Sequence, residues 1–253
     1  MTRKVVESQA VSPTPAITHC VADTSSYSKE PTSAARYVAV IADGNRRWAA
    51  LHNLSPMDGY RAGNANALGR IGDAMSLGIT ELTLFLFSNE NWQRPADEVD
   101  GLMSLAVTRI ANDTPQLDRE GVHMRFIGCP DRVPSDVVYQ MRWAETLTAK
   151  NTKLKLFLAF NYGGRQEIEE AARRRAASGS TSALQEHLYA PDMHDPDLLI
   201  RTGGDKRLSN FMLWQLAYTE LVFRDEYWPD FTRERFEECL AEFATRRRRF
   251  GGG

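Results

Sequence analysis

Short apolar runs alternate with amphipathic stretches along most of this chain. YVAVIA at 37–42, LTLFLFS at 82–88, VHMRFIG at 122–128, LKLFLAF at 154–160 and DLLIRT at 197–202 are rich in β-branched and aromatic residues. Each is short and closes on polar or glycine-containing turn residues, as a buried strand does. ELVFRDEYW at 220–228 holds a sixth, shorter run. Residues 60–77, 97–119, 134–149, 165–177 and 232–246 carry helical spacing between and after these runs. Such alternation predicts an α/β fold: a single domain with a central, mostly parallel sheet of about six strands flanked by helices. No period precedes Tyr37. Residues 1–35 are rich in Ser, Thr, Ala and Pro and read as a flexible tail, which leaves 36–253 as the folded domain.

Composition narrows the function classes. A chain of 253 residues, 42% of them hydrophobic, can bury one sizeable core. A formal net charge of -2 gives no global reason to bind nucleic acid, so any anion site must be local. Cys20, Cys129 and Cys239 are scattered without CxxC spacing and read as free thiols rather than a zinc site or a disulfide framework. No apolar run approaches the ~18 residues of a membrane span, and no secretory apolar segment opens the chain. Glu7, Asp23 and Glu30 weigh against a transit peptide. A cytoplasmic enzyme without stable membrane insertion is the expectation.

The polar residues collect where the strands end. Four runs close on Asp43-Gly44-Asn45, Ser88-Asn89-Glu90-Asn91, Asn161-Tyr162-Gly163-Gly164 and Arg201-Thr202-Gly203-Gly204. Ligands of an open α/β sheet bind outside the carboxyl ends of its strands, so these residues are expected to share one cleft. Gly44 allows a tight turn, and Arg46 and Arg47 supply planar donors suited to phosphate oxygens. Asp43 would repel a phosphate unless a cation lay between them, and Mg²⁺ bridging a carboxylate and a diphosphate resolves that conflict. Taken singly, each segment has a plainer explanation. DGN is an ordinary turn, SNENWQRP (88–95) is a helix cap with Trp92 in the core, and IRTGGDKRLSN (200–210) is a basic loop.

Taken in order, the segments are more specific. IADGNRRW, FSNENWQRP, FNYGGRQEI, IRTGGDKRLSNFMLWQLAYTELVF and WPDF together resemble the cis-prenyltransferases, the undecaprenyl diphosphate synthase family, from about Tyr37 to Gly252. The resemblance implies a Mg²⁺-dependent homodimer that joins an allylic diphosphate (dimethylallyl or geranyl) to isopentenyl diphosphate with Z geometry. It gives Asp43 and Glu220 to the metal and Asn91 to proton removal. Gly44, Asn45, Arg46, Arg47 and Trp48 fall to the allylic diphosphate, and Ser88, Asn89, Glu90, Trp92 and Arg94 to a substrate-contacting stretch. Arg201, Arg207, Leu208 and Ser209 fall to isopentenyl diphosphate, and Arg249 and Gly251 to a C-terminal element that completes the diphosphate site, often in the partner subunit. No strong base is needed, because the carbocation formed on ionisation is itself very acidic.

Two departures from the family pattern bear on the product. Pro56 and Tyr60 stand where the family usually has Arg and His. Proline has no side-chain donor, and Tyr60 is expected to offer substrate a single neutral one, with Arg46 and Arg61 as compensating cations. Some relatives that make branched, lavandulyl-type diphosphates resemble this chain here, which keeps a condensation with dimethylallyl diphosphate as acceptor open. Leu86 should share the cleft face with Ser88, and long-chain family members tend to have a small residue at its position. With Leu154 lining the same tunnel, a product of about C10 to C15 is expected from the close packing of such a wall. A non-catalytic partner subunit is the reading from another class, disfavoured by the presence of Asp43, Asn45, Ser88, Asn91 and Glu220.

Overall fold

Every side chain of strand β1 (Tyr37–Ile41) is buried, because both faces of the strand are covered. Val38 and Val40 point into a core shared with Ile71, Ala74 and Ile110. Tyr37, Ala39 and Ile41 point the other way, toward Phe211, Met212 and Leu216. That period of two explains why the run reads as continuously apolar rather than alternating. The computed structural model describes residues 34–246, all within one compact unit. Around β1 stand β2 (Glu81–Ser88), β3 (Val122–Ile127), β4 (Leu154–Tyr162), β5 (Leu198–Arg201) and β6 (Glu220–Phe223). They form one six-stranded sheet in the order β3-β4-β2-β1-β5-β6, and all five pairings are parallel. The sheet is therefore wholly, not mostly, parallel.

Among the described residues five α-helices connect strands, α1 (Asn45–Leu51), α2 (Pro56–Ser76), α3 (Ala96–Glu120), α4 (Ser135–Thr148) and α5 (Gly164–Ser178), and a sixth, α6 (Arg233–Ala244), follows β6. Helix α1 escapes the periodicity reading because seven residues give too few turns to show a stripe. Helix α2 begins at Pro56, four residues before the expected start. Pro56 is its first helical residue, where the missing N–H is no loss, and Ser55 and Asp58 close a reciprocal cap before it. The sixth strand stops at Phe223, earlier than the apolar run suggested, because Arg224 turns to pair with Glu226 and Glu238. Packing extends one residue further N-terminal than the expected boundary, since Ala35 is buried in the core. The rest of the tail, residues 1–33, lies outside the described residues. Cys129 and Cys239 are buried free thiols. Among the described residues, no helix is long and apolar enough to cross a membrane.

One buried polar network locks α5 to the sheet. The Glu167 carboxyl group, 1% exposed, accepts hydrogen bonds from the Tyr162 hydroxyl (2.5 Å), the Tyr189 amide (3.0 Å) and the Gln215 side chain (3.1 Å). Burial, then the neighbouring Glu167, pushes the Tyr162 phenol well above its ordinary pKa, so it remains a donor. Removing the acceptor strands three buried donors at once. Glu167→Ala is expected to cost about 3 kcal/mol, read as a lower urea midpoint at unchanged slope; a loss under roughly 1 kcal/mol would show that water or repacking satisfies those donors.

Candidate active site

The cleft opens where β1, β2 and β5 end, at the switch point where the chain leaves β1 for β2 on one side and returns from β4 to β5 on the other. Asp43 lies just beyond β1 and is held by its backbone. Its amide donates to the Thr202 hydroxyl (3.0 Å) and its carbonyl accepts from Thr202 (2.8 Å) and from the Trp228 amide (2.9 Å). The next residue must be glycine. Gly44 has φ +102°, and a Cβ there would lie 2.5 Å from the Tyr227 ring. The backbone strain alone would cost another residue about 1–2 kcal/mol.

The Asp43 carboxylate sits among cations. Arg201 Nη2 bonds it at 2.7 Å and Arg47 Nη2 lies at 3.3 Å. The same two arginines reach Asp205, at 3.3 and 3.7 Å. Arg201 is 3% exposed, its Nε has no hydrogen-bond partner, and its Nη1 donates to the Ser209 hydroxyl at 2.7 Å and to the Arg207 carbonyl. A buried guanidinium needs paired carboxylates, so Arg201 orders both aspartates. Desolvation raises the pKa of Asp205, but the hydrogen bond and charge of Arg207, with Arg201 and Arg47, outweigh it and hold the group below the usual carboxylate range. The supporting loop carries strain: Ser209, Asn210 and Met212 all have positive φ.

From this cluster a cavity of about 1040 Å³ runs down between α2, α3 and the sheet. At its mouth are Asp43, Gly44, Asn45, Arg46, Arg47, Arg94, Arg201 and Ser209. Tyr60 also lines it, but its hydroxyl is already engaged. It donates to Glu98 at 2.7 Å and accepts from Arg94 at 2.8 Å. Burial, reinforced by Glu98, raises its pKa and keeps it neutral. Tyr60 is thus a support for Arg94 rather than the free donor expected from the sequence. Arg46 approaches Glu98 only at 3.8 Å and is half exposed, a contact worth little, so it is free to turn to an anion. Arg61 pairs with Asp58 on the surface and does not line the cavity.

Deeper down the walls are apolar. Leu86, 39% exposed, lines the cavity with Ser88, beside a register shift between Phe85 and Phe87. The floor is Leu84, Phe126 and Ile110, in which Leu84 and Phe126 flank Leu158 in the strand register. Below it Leu82 and Leu156 are sealed in the core. Leu154 lies lower still. It is fully buried, paired with Val122 at the opening of β4 and roughly 13 Å beneath the floor by strand rise. It is core, contrary to the tunnel position expected for it.

Other expected site residues divide between cleft and scaffold. Glu90 and Asn91 line the cavity; Glu90 accepts from Asn210 (2.9 Å), and Asn91 Oδ1 accepts from the Ser88 amide (3.0 Å). Trp48, Asn89, Trp92, Arg207 and Leu208 do not line it. Trp48 donates to Asp230 and stacks on His52, and Asn89 donates to Gln166. Trp92 donates to Asn161 and packs on Phe87, which agrees with the plainer capping reading of that segment. Arg207 is an exposed rim residue on Asp205, and Leu208 joins the opposite core. Glu220 stands at the wrong end of the sheet. It is level with Leu198 and Val38, roughly 16 Å along the strands from Asp43, and it pairs with Arg246 at 2.9 Å. The two carboxylates of one chain therefore cannot share an ion. Arg249 and Gly251 lie outside the described residues.

Sequence reasoning gave no role to Asp205 or Glu98 and placed Thr202 only as part of a strand-end turn. Glu98 was visible as the carboxylate one helical turn after Arg94 (3.4 Å away), and Asp205 as the acid between two glycines and two cations. Thr202 acts through hydroxyl and backbone bonds and carries no sequence signal. Asp43 and Asp205 fit a Mg²⁺ that completes its shell with substrate oxygens, since such ions take one or two carboxylates and keep exchangeable ligands. Among the described residues no group of three His, Cys, Asp or Glu is arranged as a self-sufficient metal site.

Residues 41–251 match the family model described as putative undecaprenyl diphosphate synthase. The chain is 48% identical over 232 residues to isoprenyl transferase 2 of Bradyrhizobium diazoefficiens, covering 87% of this chain and 92% of that one. It is 44% identical over 231 residues to the ditrans,polycis-undecaprenyl-diphosphate synthase ((2E,6E)-farnesyl-diphosphate specific) of Pseudomonas putida, covering 87% and 92%. Lavandulyl diphosphate synthase from Lavandula x intermedia, solved with dimethylallyl diphosphate, superposes with a TM-score of 0.83 at 34% identity, over 87% of this chain and 99% of that one. A parallel sheet with arginines and a fixed aspartate at its carboxyl edge, matched over most of its length by these proteins, belongs to a prenyl-transferring enzyme of the cis-prenyltransferase (undecaprenyl diphosphate synthase) family.

Proposed function

We propose that this enzyme joins an allylic diphosphate to isopentenyl diphosphate and releases diphosphate, giving a Z-prenyl diphosphate of about C10 to C15, a length taken from the depth between the cavity's mouth and its floor. The observation that carries the short product is the floor formed by Leu84, Phe126 and Ile110, with Leu86 on the wall above it. By strand rise, Ser88 at the mouth stands only about 13 Å above Leu84. The relatives named for undecaprenyl products argue for a longer chain, and bulk at Leu86 is the feature set against them.

Arg46, Arg47, Arg94 and Arg201 supply planar donors to diphosphate oxygens at the cavity mouth. When bound with substrate at Asp43 and Asp205, Mg²⁺ would neutralise charge on the leaving diphosphate. The apolar walls exclude water from the allylic cation. Asn91, fixed by the Ser88 amide, offers a weakly basic oxygen at the cavity wall for the departing proton. A homodimer is part of this reading. β6 is the edge strand of the sheet, and with the exposed Tyr218 beside it makes a surface a second copy could cover.

A second reading is favoured by Tyr60. Its engagement with Glu98 and Arg94 gives the mouth a different anion site from one built on histidine. Similarity to the lavandulyl enzyme supports dimethylallyl diphosphate as acceptor, with a branched C10 product. Incubation with dimethylallyl diphosphate alone separates the two: no product is expected under the linear reading, and a branched diphosphate would replace it.

Asp43→Ala should lower kcat by about 10³-fold or more and also lower the melting temperature, because Arg201 keeps only Asp205 as a carboxylate partner, and chelation should abolish turnover until Mg²⁺ is restored. Near-normal turnover of the variant would remove Asp43 from the chemistry. Leu86→Ala should lengthen a linear product by at least one isoprene unit, measured by mass; an unchanged length would show that Leu86 does not gate the cavity.

A further inference from the structure

Helix α3 faces the cavity with Leu102, Leu105, Ala106, Arg109 and Ile110, a stripe at helical spacing. Four of the five are apolar. Arg109 is a charged group placed in the wall where the tail of an allylic substrate would run. Its Nη2 bonds Asp113 at 2.8 Å, one turn further along α3, and its Nε is buried with no hydrogen-bond partner. Burial raises the pKa of Asp113 even against the opposing charge of Arg109, and both side chains stay partly open to water, 30% and 21% exposed for Arg109 and Asp113. Arg109 lies three helical turns beyond Glu98, about 16 Å from the cationic mouth. The facing wall at this depth is the closed floor of Leu84 and Phe126.

We infer that Arg109, held by Asp113, is a chain-length stop. The Arg109 Nε–H is already shut off from water, and hydrocarbon advancing past Ala106 would strip the remaining water from the partly exposed guanidinium and carboxylate of the ion pair, which no alkyl group can replace. The barrier is electrostatic as much as steric, which distinguishes it from the bulk of Leu86. This inference rests on the short-chain reading proposed above and extends it by naming what ends the product.

The test uses the full chain with Mg²⁺, isopentenyl diphosphate and dimethylallyl, geranyl or farnesyl diphosphate as primer, with products sized by mass. Arg109→Met with Asp113→Asn removes both charges while keeping most of the side-chain volume. Its main product should exceed the wild-type product by one isoprene unit or more, and Arg109→Lys should keep the wild-type length. Ala106→Leu, a change of bulk just before the stop, should shorten the product or abolish use of the longest primer, and it serves as a second reading if the charge-free variant does not fold. A folded charge-free variant whose main product equals that of wild type would overturn the role of Arg109, whatever Ala106→Leu does, while leaving a short-chain wild type intact. Wild-type products beyond C20 would instead overturn the short-chain reading itself, and the stop with it.

Discussion

The buried guanidinium of Arg201 is the constraint on which the site depends. It stands at the end of β5, 3% exposed, and cannot remain there without anionic partners. Asp43 meets it from the end of β1, and Asp205 from the loop that follows β5. Because β1 and β5 are adjacent and parallel, Ile41 beside Arg201 sets the register that brings the carboxylate to the guanidinium. Thr202 and Trp228 then hold the backbone of Asp43, and the Gly203 carbonyl accepts from the Arg47 guanidinium beside it. What results is a fixed array of donors that needs little reorganisation when a diphosphate arrives.

A second cluster repeats the device across the mouth. Glu98, 9% exposed, is surrounded by Tyr60, Arg94 and Arg46. The short bond to Tyr60 fixes the carboxylate, Arg94 is held on the Tyr60 hydroxyl, and the longer approach of Arg46 leaves it able to turn outward. The cavity thus has anchored carboxylates and arginines at its mouth, with Arg46 the loosely held one, and an apolar channel behind them. Cation-driven carbon–carbon bond formation needs that order: charge is stabilised at one end, and water is kept from the other.

Much of this was legible in the sequence, for reasons that differ by residue. The six strands announced themselves because a doubly covered parallel sheet makes continuous apolar runs, and Asp43, Ser88 and Arg201 could be placed at one edge because strand ends converge in such a sheet. Helix α1 was too short to show a period. Glu220 and Leu154 were misplaced because a motif gives order along the chain but not height along a strand. Both sit at strand starts, while the cleft lies at strand ends. Tyr60 was read as a substrate donor because its two partners, Glu98 and Arg94, are more than thirty residues away.

The central claim is spatial: the head group binds at Arg201 and Asp43, and the tail descends past Leu86 along α3 to the floor at Leu84 and Phe126. A crystal structure of the enzyme with Mg²⁺ and the non-ionising thiolo analogue of geranyl diphosphate tests it directly. The account requires diphosphate oxygens within hydrogen-bond distance of Arg201 or Arg47 and the terminal isoprene unit between Leu86 and Ala106. A tail lying outside the α2–α3 channel, or a head group bound away from Asp43, would contradict it.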